Sequence, residues 1–213
     1  MASTLTLGRA HERSRSSTWV PGLLLFVLAA GFMTVIMAAA SMAPGYDVKG
    51  GAISDLGVIG ESAALFNVTL LAVGLLNIAG GSFLYRTHGR AWMLAIYLLA
   101  GLGAIGAGLV PLNASGLHGI FALVAFLFFN FEALSGAALA TGPMRWVSAV
   151  AGLVGLAFVV VMVIGDAGNP GVFGPIGHGG AERMIVYPAM LWMMAFGGYL
   201  MAGLSEAEGD GRG

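Results

Sequence analysis

Long apolar stretches interrupted by short polar ones set the character of this chain. Six runs reach the roughly 20 residues that a helix needs to cross a bilayer core. They are Trp19–Met42, Ser62–Tyr85, Ala91–Val110, Leu117–Ala140, Arg145–Ile164 and Met184–Leu204. In hydrocarbon every backbone N–H and C=O must find its partner within the protein, which makes such runs helices. The alternation of a barrel strand is absent. The pattern predicts an all-α, polytopic membrane helix bundle of six transmembrane helices. Residues 1–18 form an N-terminal tail, 19–204 the bundle, and 205–213 a C-terminal tail. Glu206, Glu208 and Asp210 lie among glycines in that last segment, which reads as disordered.

Composition agrees with the pattern. Hydrophobic residues make up 58% of the chain and charged ones 9%, with a mean hydropathy of +0.91. A soluble domain does not look like this. The longest stretches outside the bundle, about 19 residues, are too short to build a core of their own. Seven basic residues flank one side of the predicted spans: Arg9, Arg13, Arg15, Arg86, Arg90, Arg145 and Arg212. Lys49 and Arg183 are on the other. The bias places both termini in the cytoplasm and the protein in the cell membrane as a multi-pass chain.

The N-terminal region has the arginines and apolar run of a secretory signal, but its apolar core exceeds the roughly 7–15 residues of one. An uncleaved anchor is expected. The matches to a glycosylation sequon, at Asn67 and Asn113, fall inside a helix and at the membrane surface, where they read as chance. With no cysteine, the chain has no disulfide, thiolate catalysis or cysteine-ligated metal. Net charge is −1, and no basic run suits nucleic acid. The expected partners are membrane lipids, with a homo-oligomer or a membrane-protein partner also possible on this sequence.

Polar chemistry gathers on the outward side, in Asp55, Glu61, His118, Asp166, His178, Glu182 and Arg183. Charge near hydrocarbon is expensive, so this cluster is where activity is expected. Asp166, with only neighbouring glycines to recommend it, is its weakest member. His118 and Glu132 are two heptads apart and share a helix face with Ala122, Ala125 and Gly136. Phe121, Phe126, Phe128 and Phe131 are expected to project elsewhere. Glu132 lies about 21 Å deeper than His118 by the helical rise. A carboxyl there is expected to be neutral or paired, with Asn77 or Ser135 as candidates.

If the last helix starts early, His178 and Glu182 become i, i+4 neighbours. Arg183 could hold a phosphate or carboxylate, or could pair with Asp55 or Glu182. Histidines and carboxylates could serve as acid and base. Two histidines without a third, or without a tight His-x-x-x-His pair, fall short of a zinc site. A haem between His118 and His178 has still less support. No metal site is assigned, and the sequence identifies no cofactor.

Glycine, 35 residues in all, has two placements. Gly101, Gly103, Gly106 and Gly108 in the third helix, and Gly152 and Gly155 in the fifth, predict close helix packing. The glycines of the two long outer loops, with Pro170 and Pro175, predict turns and loops folded back into the bundle mouth.

The first of those loops carries a resemblance. Its run Ala43-Pro-Gly-Tyr-Asp-Val, then Ala52-Ile-Ser-Asp-Leu-Gly57 and Leu65-Phe-Asn67, resembles the family called domain of unknown function 998. His118 and Glu182-Arg183 extend the likeness over residues 19–204. The resemblance implies a six-helix bacterial or archaeal membrane protein and no established reaction. The Ile-Ser-Asp core is also similar, more weakly, to the DRAM/Frag membrane proteins, some of which are tied to lipid or GPI-anchor remodelling.

Ser54-Asp55 before Gly57 could pin a re-entrant segment through side-chain to backbone bonds, or Asp55 could join Arg183 or His118. Three functions stay open. One is binding of, or chemistry on, a lipid headgroup. His118 and His178 would then be acid and base, Asp55 would orient them, and Arg183, Glu182 and Ser54 would bind the ligand. Another is a small-molecule or proton-coupled transporter that uses a path from His118 to Glu132. The last is a non-catalytic membrane partner subunit.

Overall fold

The computed structural model describes the backbone of residues 2–203 and the side chains from Thr18 onward. The predicted C-terminal tail lies outside the described residues. Six helices form: α1 (Ala2–Met42), α2 (Ser62–His88), α3 (Ala91–Leu109), α4 (Leu117–Gly136), α5 (Gly142–Asp166) and α6 (Gly177–Met201). All six carry stretches long and apolar enough to cross a membrane, and no strand occurs among the described residues. α1 starts at Ala2, so the segment read as a tail continues the first helix.

A second departure from the sequence reading concerns α6. It begins seven residues before the predicted Met184, at Gly177. Hydropathy alone hides this start, because Gly, His, Glu and Arg dilute the apolar signal over the first two turns. The helix forms nonetheless, since Glu182 and Arg183 find partners in the first loop and His178 finds one in Asp166. Two short 3-10 turns, Ile53–Gly57 and Pro170–Ile176, occupy the two longer connections.

Successive helices pack side by side, and α6 returns against α1 to close a ring. The first membrane-crossing stretch thus begins beside the end of α6, where Thr18 Oγ1 donates to the Leu200 carbonyl (3.0 Å). The other end, here the loop end, carries segments 43–61, 110–116 and 167–176.

Close backbone approach explains the glycines. A Cβ on Gly101 would lie 2.7 Å from the Gly74 carbonyl, and one on Gly197 would lie 2.6 Å from that of Gly22. The first contact joins α3 to α2 and the second seals α6 onto α1. With no hydrophobic force between helices in lipid, such proximity is what holds them together. Bulkier contacts fill the rest: Trp192 and Phe196 stack at 4.9 Å, and the Trp192 indole donates to Ser148 Oγ (2.8 Å). Outward-facing residues such as Met37, Leu75, Leu102, Leu153 and Val160 are exposed and apolar, as a lipid-facing surface requires.

Candidate functional site

The loop end is organised around Arg183. Its guanidinium Nη1 donates to the carbonyls of Val48 (2.9 Å), Gly51 (3.2 Å) and Gly179 (2.8 Å). Nη2 donates to Tyr46 Oη (2.6 Å), whose own hydroxyl donates to Ala52 O (2.8 Å). The cation also sits 5.7 Å from the Tyr46 ring centre. Burial pushes the Tyr46 hydroxyl above its ordinary pKa, with Arg183 opposing that shift. Arg183 thus clasps the first loop. Neither Asp55 nor Glu182 forms an ion pair with it, the two partners the sequence suggested.

Glycine makes the clasp possible. The Gly179 amide donates to Lys49 O (2.9 Å), and a Cβ at Gly179 would collide with the carbonyls of Gly51 and Val48. Only a residue without a side chain lets the loop lie this close to α6.

Glu182, one residue earlier, holds the next segment of the loop. Its buried carboxylate accepts from the Ile53 amide (2.5 Å), and the Ser54 amide is also directed at it. Asp55 acts locally: its Oδ2 accepts from the Ala52 amide (2.9 Å) and caps the 3-10 turn. Of the alternatives open for Asp55, the structure takes the side-chain to backbone bond and not the partnership with Arg183 or His118. Ile53 and Leu56 are buried beneath the turn. Asn67 Nδ2 donates to Gly57 O (2.9 Å) and Ser62 Oγ to Ile59 O (2.6 Å), fastening the loop's far end to α2. Asp47 stabilises the near end, accepting from the amides of Lys49 (3.1 Å) and Gly50 (2.8 Å). Those amides hold its carboxyl below the usual range.

His118, on the first turn of α4, is only 4% exposed. Its Nδ1 lies 2.7 Å from the Val110 carbonyl. A carbonyl can only accept, so Nδ1 carries the proton and Nε2 of the neutral ring presents a lone pair. That Nε2 is buried and has no hydrogen-bond partner.

His178 pairs with Asp166, Nε2 to Oδ1 at 3.1 Å, across the turn that joins α5 to α6. Phe173 stands edge-on to the imidazole at 5.1 Å. Asp166 was the acidic residue the sequence ranked lowest, yet it is the one that touches a histidine. No spacing rule signals a pair 12 residues apart on different helices. Glu61 stands exposed at the start of α2.

Two cavities meet here. The outer one, a vestibule of about 450 Å3, opens between α4 and α5 beneath the first loop. Asp55, Asp166, His178, Glu182, Ser54 and His118 supply its polar lining. The inner one, about 70 Å3, lies in the bundle and is lined mainly by apolar residues, among them Phe32, Phe66, Phe129 and Met190. Ser54, His118, Ala122, Phe126 and Glu182 line both, so they form the junction. Phe126, expected to project away from the small-residue stripe, helps to wall both spaces. Arg183 lines neither of them.

Glu132 lies apart. It is fully buried, and Asn77 Nδ2 donates to its Oε1 (2.6 Å) while also donating to Tyr97 O (3.0 Å). Glu132 Oε2, Asn77 Oδ1 and Tyr97 Oη are buried without partners. Ser135, the other candidate partner, donates instead to the Glu132 carbonyl (2.8 Å). The stripe does not continue as an open path, because Glu132 lines neither cavity and Trp192 fills the space over Gly136. Among the described residues no three His, Asp or Glu side chains gather closely enough to hold a metal ion.

Fold and site together define a multi-pass helical membrane protein whose first loop is clasped over a polar vestibule. The chain belongs to the family described as "Protein of unknown function (DUF998)", whose model matches residues 26–199. No curated protein and no solved structure matches it.

Proposed function

We propose that this protein binds a membrane amphiphile, with its polar end in the vestibule and its apolar part against α4, α5 and the inner chamber. The carrying observation is His118: a buried imidazole with an unpartnered Nε2 at the junction of a polar space and an apolar one. A buried polar atom without a partner is costly, and a ligand group that pairs with it recovers that cost. The vestibule volume falls in the range of small-ligand sites, roughly 300–1,000 Å3. Leu112, Leu123 and Val163 line it and are exposed on the outside of the bundle, which gives an acyl chain a way in from the side.

The arginine bias puts both termini in the cytoplasm of a cell-membrane protein, so the vestibule opens to the outer leaflet. His118, in its fixed tautomer, is also the group placed to accept a proton from a bound hydroxyl or amine. Arg183, engaged with the loop, serves this reading as a clasp rather than as a phosphate ligand.

Mass spectrometry of lipid retained by the purified protein tests the reading. His118→Ala and Ala122→Trp, which fills the junction, should each reduce retained lipid several-fold in a protein that still purifies as a monodisperse species. Lipid retained at the wild-type level by both variants overturns the proposal. Comparative lipid analysis of a deletion strain then asks whether binding leads to chemistry.

A further inference from the structure

We infer that the vestibule selects a primary ammonium group, as carried by an aminophospholipid headgroup, over an anionic headgroup. This rests on the amphiphile-binding reading and adds the chemical class of the ligand.

Hydrogen-bonding capacity in the lining is one-sided. Asp55, Asp166 and Glu182 contribute three carboxyl groups, and no lysine or arginine lines the space. An ionised carboxylate only accepts hydrogen bonds, through about four lone-pair sites. Each of the three has donors from the protein, yet these leave acceptor capacity over: Asp55 takes the Ala52 amide, Asp166 takes His178, and Glu182 takes the Ile53 and Ser54 amides.

The nearest fixed cation is turned away. Arg183 directs its Nη atoms at Tyr46, Val48, Gly51 and Gly179, behind the first loop. Lys49 is exposed and outside the lining, and His178 is already on Asp166.

The second observation is independent of those acids. His118 is 4% exposed, and its Nε2 lone pair has no donor opposite it. It stands at the inner end of the same vestibule. A buried acceptor that lacks a donor, in a vestibule that Asp55 and Asp166 also line, calls for a ligand that brings N–H groups and positive charge together. A primary ammonium has three such donors. A trimethylammonium has the charge and no donor, so it would leave Nε2 unpaired. A phosphate monoester or phosphoglycerol brings negative charge and no N–H donor to a lining that holds acidic side chains and no lysine or arginine.

The test uses the delipidated full chain in detergent. Native mass spectrometry would follow competition among phosphatidylethanolamine, phosphatidylcholine and phosphatidylglycerol with identical acyl chains. Wild-type protein should retain phosphatidylethanolamine over each of the others by about fivefold or more, equivalent to roughly 1 kcal/mol. His118→Ala should bring that preference within about twofold, whereas His118→Gln, which keeps an acceptor, should retain part of it. Asp166→Asn, which removes one negative charge from an exposed position of the lining, should weaken phosphatidylethanolamine and strengthen phosphatidylglycerol.

Free ethanolamine separates the two sources of the ammonium. Displacement of the lipid by ethanolamine shows that the headgroup chemistry suffices; persistence of the lipid shows that its acyl chains are also required. Both outcomes keep the inference provided the ethanolamine lipid is preferred. Phosphatidylglycerol bound as well as or better than phosphatidylethanolamine, with binding lost in His118→Ala, overturns the ammonium inference and leaves amphiphile binding intact. Retention of none of the three lipids by wild-type protein overturns both.

Discussion

Glu182 and Glu132 are both buried carboxylates on transmembrane helices, and their surroundings differ in kind. Glu182 meets backbone amides of the first loop, so its charge-bearing oxygens hold a segment of chain that has no helix to order it. Glu132 meets one side chain, Asn77, and its second oxygen has no partner. The first carboxylate fastens a loop to a helix; the second ties α4 to α2. Backbone amides are fixed in place once the turn forms and can satisfy a buried carboxylate well. A single amide side chain leaves half of the group unsatisfied. Loop order at the mouth thus depends on α6, while helix register in the middle depends on a sparser network.

The contrast can be broken most directly at the clasp. Arg183→Ala removes four hydrogen bonds and leaves the Val48 carbonyl without its donor, at a cost of about 2–4 kcal/mol. Thermal unfolding in detergent should fall clearly, and protease should cut within 43–61 where it does not cut the wild-type chain. Arg183→Lys should recover little, because an ammonium cannot reach this fork of acceptors. A loop that stays protected in Arg183→Ala would show that Glu182 and the buried turn suffice to hold it.

A matched pair of substitutions compares the two carboxylates. Glu182→Gln turns an amide donor towards backbone donors and should cost about 1–2 kcal/mol. Glu132→Gln keeps a carbonyl for Asn77 and should cost less than about 1 kcal/mol. Denaturant midpoints measured side by side decide the order. A reversed order would mean that the second oxygen of Glu132 has a partner, such as water, that its neighbours do not supply.

The smallest expected effect is at Asp47. Its carboxyl is held low by the Lys49 and Gly50 amides, so the ionised form is favoured in the folded loop. That contribution is complete above the ordinary carboxylate value of about 4 and is lost as pH falls through the lower folded value. Protection of the Lys49 and Gly50 amides, taken relative to their intrinsic exchange rates at each pH, should therefore fall on acidification below about pH 4 and stay flat in Asp47→Asn. Equal acid sensitivity in both proteins would remove Asp47 as the cause.

The six spans were legible because hydrocarbon imposes one requirement, a continuous apolar helix, that a one-dimensional pattern records in full. The close-packed glycines of α3 and α5 were legible for a related reason, since small residues are the means by which helices approach in lipid. The Gly22–Gly197 contact was not, because the two glycines are far apart in sequence and only ring closure brings the first helix to the last. His118 stood out as a lone imidazole at a helix start, while its tautomer depended on the Val110 carbonyl across a turn. The partners of Arg183 were beyond reach of sequence because most are main-chain carbonyls, which every residue type carries alike.

Sequence by itself determined that this chain is a six-helix membrane bundle with its polar chemistry gathered at one end. Tertiary structure alone decided which polar groups are occupied and which are free. It turned Arg183 to the loop, joined Asp166 to His178, withdrew Glu132 from the cavity and left His118 Nε2 open at the junction. The physical reason is that burial and charge act through composition, while a hydrogen bond exists only where two atoms from distant segments arrive within about 3 Å of each other.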